Sequence, residues 1–190
     1  MNYWIKNDII PDLDQSDKDW LIEKFDGRLN PNADLFITWE NELPTSITEK
    51  FTTIGEKLDL QLVETSVFTG TPGKKPIPHV DHKQGYDTLR WRLSYFVQGG
   101  CPFYWWESGE IVRIGSYAEW QNETTVLDVL DTTEVKSAFV RTDIPHSVDM
   151  TNNTKTRIVV TGTYTYVGVG GVSLGGVPPW EYITNRLLSE

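Results

Sequence analysis

The chain holds three histidines, and two of them stand in the stretch Ile77-Pro78-His79-Val80-Asp81-His82. Side chains alternate along an extended backbone, so residues i and i+2 point to the same side. His79 and Asp81 therefore project together while Val80 faces away, which brings a nitrogen and an oxygen donor to one place. His82 has the opposite parity and is read as an outer or solvent-facing residue rather than a ligand. The third histidine lies in Ile144-Pro145-His146 and repeats the Ile-Pro-His pattern. Proline has no N–H to give to a ladder and is confined to edges, bulges and strand ends. Both histidines thus belong at strand ends, near a barrel mouth, where a small molecule can reach them.

Two imidazoles and one carboxylate on one face of a metal leave three octahedral positions open, the arrangement associated with non-haem iron(II) oxygenases. Zinc accepts the same ligand set, so the donors alone leave both metals open. Arg157 follows His146 by eleven residues and opens the run Arg157-Ile158-Val159-Val160-Thr161-Gly162-Thr163-Tyr164. A hairpin of that length places the two on adjacent strands, with the arginine deeper in the barrel. Its planar fork suits a carboxylate. A dicarboxylate such as 2-oxoglutarate can chelate iron through its 2-oxo acid end and reach Arg157 with the other.

Elements of the right kind to hold such residues can be read on either side of them. Ser16 can cap a first helix carrying Leu21 and Phe25, and Thr45 or Ser46 can start a second with Ile47, Phe51, Ile54 and Leu58 on one stripe. From about Leu58 the period changes to two. Leu89, Trp91, Leu93, Tyr95 and Val97 share one face of a half-buried strand, and Arg90, Arg92 and Ser94 the other. An outer polar face explains the two arginines as well as a grip on an anionic substrate does. Further strand-like runs cover 103–106, 110–114, 125–130, 134–141 and 155–166. Seven or eight short strands with no helical pattern between them indicate an antiparallel sandwich or barrel, braced from outside by the helices. Residues 167–177 read as a Gly-rich loop, and Pro178-Pro179 opens a last helix with Trp180, Ile183 and Leu187.

In this order of motifs, from about Gln61 to Tyr166, the sequence resembles the 2-oxoglutarate/iron(II)-dependent dioxygenase superfamily. Pro145-His146-Ser147-Val148 looks like the distal-histidine segment of its prolyl and aspartyl hydroxylase branches. The resemblance implies a mainly β fold, a double-stranded β-helix or cupin-like jelly roll. It makes His79, Asp81 and His146 the iron ligands and assigns Arg157 to the C5 carboxylate of 2-oxoglutarate, with O2 as second cosubstrate. Many members carry Ser or Thr two residues after the arginine, where this chain has Val159. By strand face alone, Tyr95 and Thr161 are the candidates for the missing hydroxyl contact.

Composition bounds the rest. The 190 residues suit one domain, with a helical brace over about 1–57, a barrel over about 58–166 and a loop-and-helix tail over 167–190. No apolar run approaches the roughly 18 residues of a membrane span. The net charge of −10 opposes binding to nucleic acid. One cysteine, Cys101, excludes an internal disulfide, and the first residues show no export signal, so the expectation is a cytoplasmic protein acting on a small-molecule or peptidyl substrate. Two other readings stand beside the oxygenase: a cupin-like metalloenzyme without 2-oxoglutarate, and a non-catalytic barrel that binds a partner through its aromatic surface.

Overall fold

The structure is a computed structural model that describes residues 2–29, 35–39, 43–75, 78–81, 91–107, 111–114, 118–120, 125–166 and 178–188. The expected loop over 167–177, and His82, Leu89 and Arg90, lie outside the described residues.

Helix α1 (Gln15–Phe25) has Asp14 at its N-cap, two residues before the expected Ser16, and fully buries Leu21 and Phe25. Helix α2 (Thr45–Lys57) begins where the apolar stripe places it and buries Ile47, Phe51 and Ile54. Full burial of each such side chain contributes about 1.5–3 kcal/mol. The helices are tied together by Ser46, whose hydroxyl donates to buried Asp17 at 2.5 Å, and by Lys50, 2.8 Å from Asp14. Helix α3 (Trp180–Leu187) follows Pro179 and buries Trp180, Ile183 and Leu187.

The described strands are β1 (Trp4–Ile5), β2 (Leu35–Trp39), β3 (Leu60–Gly70), β4 (His79–Val80), β5 (Trp91–Gln98), β6 (Pro102–Trp106), β7 (Ile111–Ile114), β8 (Ala118–Trp120), β9 (Val126–Asp131), β10 (Ser137–Arg141), β11 (His146–Val148) and β12 (Arg157–Tyr166). They form two six-stranded sheets, β1-β10-β5-β12-β3-β2 and β7-β8-β4-β11-β6-β9. Every pairing is antiparallel.

Strand β5 shows why the layers assemble as they do. Trp91, Leu93 and Tyr95 join the core beneath the helices, with Phe51 edge-on to Tyr95 at 5.3 Å. Arg92, Ser94 and Phe96 face the second sheet instead. Residues 91–96 are consequently all buried, whereas alternation predicts a half-buried strand. The polar face was real, but it lines an internal cleft rather than solvent. The layer between the sheets is a separate apolar cluster that includes Phe96, Phe103, Trp105, Val140, Val148 and Val159.

The helix-facing core contains none of the three candidate metal ligands. Chelation should therefore leave the protein folded, unlike a small domain whose folding energy is its metal. Circular dichroism at 25 °C is expected to be unchanged by chelator, with the melting temperature raised modestly by added metal. Cooperative unfolding on chelation would make the site structural.

Candidate metal and cosubstrate site

Strands β4 and β11 are neighbours, and His79 lies directly opposite His146 in their register. Each strand begins immediately after a proline, which suits a strand end because it has no N–H to give to a ladder. The rings are 4.7 Å apart between centroids. Asp81 sits one residue beyond β4, held by its backbone N–H donating to the Thr142 carbonyl at 3.1 Å. Its Oδ1 is 3.8 Å from His79 Nε2 and 3.6 Å from His146 Nε2, and ligand atoms of all three residues lie within 4.8 Å of one another. His146 Nδ1 is 2.9 Å from the Ile144 carbonyl, which can only accept, so Nδ1 carries a proton and Nε2 is the ring nitrogen that faces the shared point. Phe103 stacks on the His146 ring at 5.2 Å and fixes its plane.

Burial pushes the Asp81 carboxyl up, but the Arg92 guanidinium, then His146 and His79, outweigh it and hold the group well below the ordinary carboxylate range. Asp81 is thus an anion, the form a metal requires. Arg92 reaches across from the first sheet: its Nε donates to Asp81 Oδ2 at 2.9 Å and its Nη1 to Thr161 Oγ1 at 3.3 Å. In the sequence Arg92 is a polar strand residue that fits an outer face as well as a grip on an anion. Its parity with Ser94 placed it on the right face, but no local pattern tells an inner polar face from an outer one.

Arg157 opens β12 and is 6% exposed. The chain comes close here because Gly99 turns with φ +64°, and a Cβ at that position would meet Arg157 Cα at 2.7 Å. Burial presses the guanidinium below its ordinary value, and the Cys101 thiol offsets part of this. Among the described residues no carboxylate pairs with Arg157, and its buried Nε has no hydrogen-bond partner. A buried cation in that state is poised for an anion from outside. The triad, Arg92, Arg157 and Thr161 all line one cleft between the sheets, about 510 Å³ with its open mouth, together with Phe68, Phe96 and Phe103.

No protein-family model matches the sequence, and no curated protein matches it. Solved structures do. The non-haem α-ketoglutarate-dependent epimerase SnoN of nogalamycin biosynthesis superposes with a TM-score of 0.50 over 95% of this chain and 92% of its own, at 12% identity. The fold is the double-stranded β-helix. A Pseudomonas putida prolyl-4-hydroxylase is similar at TM-score 0.49, 15% identity and coverage of 86% and 92%. A Trichoplax adhaerens prolyl hydroxylase in complex with a hypoxia inducible factor peptide is similar at 0.49, 12% and 86% and 83%.

Two expectations are corrected by this double-stranded β-helix. His146 and Arg157 are not on adjacent strands of one hairpin: β11 lies between β4 and β6 in one sheet, and β12 between β5 and β3 in the other. The connection crosses from sheet to sheet, so the arginine faces the histidines across the cleft. Tyr95 does not reach the cleft at all. It points to the helix side, where its hydroxyl donates to the Pro11 carbonyl at 2.9 Å. Thr161 does line the cleft, although its hydroxyl already accepts from Arg92.

Proposed function

We propose that the chain is a non-haem iron(II), 2-oxoglutarate-dependent oxygenase that hydroxylates a C–H bond of a small metabolite or peptidyl residue. In this reading His79, Asp81 and His146 hold the metal, and Arg157 takes the C5 carboxylate of 2-oxoglutarate. The observation that carries it is one juxtaposition: two imidazoles and a carboxylate converge on one wall of the cleft, while the other sheet supplies a buried guanidinium with an orphaned Nε. A metal site by itself fits many chemistries; the second, anion-seeking group calls for a ligand that is dicarboxylic. The donor set fits iron(II), and the buried guanidinium with its unpartnered Nε fits the distal carboxylate.

The metal and its cosubstrates, when bound, supply the oxidising power. The chain's own work is positional. His146 is held by the Ile144 carbonyl, Asp81 is kept ionised, and Phe68, Phe96 and Phe103 give the cleft an apolar lining. No helix among the described residues is long and apolar enough to cross a membrane. The buried, unpaired Cys101 supports a reducing, cytoplasmic setting.

Anaerobic titration tests the reading directly. A weak visible charge-transfer band is expected only when iron(II) and 2-oxoglutarate are both present. If it is absent at saturating metal and cosubstrate, the proposal fails.

A further inference from the structure

Arg92 is a buried cation on the sheet opposite the triad. Its Nε–H donates to Asp81 Oδ2 at 2.9 Å, Thr161 accepts from its Nη1 at 3.3 Å, and its guanidinium lies 4.9 Å from the centre of the Phe68 ring. Hydrogen bond, brace and ring contact together allow the planar head very little freedom. Asp81 Oδ2 is thereby occupied, and Oδ1 is the oxygen that faces both imidazole Nε2 atoms.

We propose that Arg92 is a positioning residue that restricts Asp81 to a single-oxygen ligand. This rests on the oxygenase reading above. A carboxylate free to swing can offer both oxygens to a metal, and the second would consume one of the three positions that two histidines and one carboxylate leave open. By retaining Oδ2, Arg92 reserves those positions for the two donor atoms of a 2-oxo acid and for O2. Thr161 acts at one remove, by holding Arg92. The residue sought as a hydroxyl contact for the cosubstrate is in this view part of the metal site's outer support.

The test is manganese(II) binding, read from the EPR signal of the free ion, with folding followed by thermal melting. Loss of an outer partner that orients a metal ligand lowers affinity roughly 10–100-fold. Arg92→Met is expected to fall in that range, Arg92→Lys to recover part of the loss, and Thr161→Val to weaken binding less than either. A residue needed only for packing gives no recovery with Lys beyond the recovery in melting temperature. If Arg92→Met does not fold, Arg92→Lys and Thr161→Val still decide: wild-type affinity in both overturns the inference. So does Arg92→Met binding manganese just as tightly as wild type. Failure of the wild type to bind manganese, or unchanged binding in His146→Ala, overturns the oxygenase reading instead.

Discussion

Protein carrying His146→Ala is expected to lose iron(II) and manganese(II) binding while melting as one cooperative unit. With three protein donors among the described residues, removing one should cost more than the roughly 10–100-fold that follows loss of an outer partner. His79→Ala should behave alike. Asp81→Ala should also lose the metal but is a poorer test, because it strands the buried Arg92 guanidinium, and breaking a buried ion pair from one side costs about 3–5 kcal/mol. His146→Ala leaves no buried charge behind, so its effect on binding can be separated from its effect on folding. His82→Ala is the control: parity alone sets it apart from His79 and Asp81, and metal affinity should be unchanged. Equal loss in His82→Ala would show the triad to be assigned wrongly. Titration of each variant by calorimetry, beside its melting curve, makes the comparison.

The fold was most legible where periodicity had room to run. Ile47, Phe51, Ile54 and Leu58 mark α2 because three turns repeat the stripe, and the ten residues of β12 are rich in the β-branched and aromatic side chains that suit a strand. The elements that carry the metal donors are the ones periodicity cannot see. Strand β4 has two residues and β11 three, too short for any alternation. Pro78 and Pro145 are the local signal for them, because a residue without an N–H is confined to strand ends, edges and bulges. Layering was the harder matter. Alternation along β5 separates Arg92 from Trp91 and Leu93 correctly, yet it carries no information about what covers each face. That is decided by strands from elsewhere in the chain, and it turned an apparent solvent face into the wall of a cleft.

The same limit accounts for Tyr95 and for the crossing between His146 and Arg157. Tyr95 belongs with Trp91 and Leu93 by parity, and its face is the helix side. Parity sets it on the face opposite Arg92, and the Pro11 hydrogen bond shows which face it takes. A ten-residue interval such as 147–156 can close a hairpin or pass between sheets, because sequence separation bounds distance and leaves sheet membership open. The residues that speak to the difference are Asp149, whose N–H donates to the Pro102 carbonyl, and Met150, which joins the layer between the sheets. Neither contact has a local signature.

Arg157→Ala is expected to weaken 2-oxoglutarate binding by on the order of a hundredfold or more. Charge-assisted hydrogen bonds contribute about 1.5–3 kcal/mol each, so two of them amount to at least roughly 3 kcal/mol, and each 1.4 kcal/mol is tenfold. Arg157→Lys keeps the charge but loses the planar fork and should fall between. Manganese affinity without cosubstrate should hardly change in either, because the arginine is not among the converging donors. The structure adds a second expectation of opposite sign. The guanidinium is buried with its Nε unpartnered and lacks a carboxylate among the described residues, so it burdens the ligand-free fold. Replacement by Met, of similar length and uncharged, should raise the melting temperature of the ligand-free protein even as it removes cosubstrate binding, the trade expected of a group kept for function. Calorimetric titration of 2-oxoglutarate into the redox-inert manganese(II) protein reads the first effect, and thermal melting of the metal-free protein the second. Binding in Arg157→Ala as tight as in wild type would remove the carboxylate role from this residue. If wild type itself shows no binding at millimolar 2-oxoglutarate while still holding manganese, the metal site stands without its cosubstrate, and a cupin-like metalloenzyme becomes the better account of the same cleft.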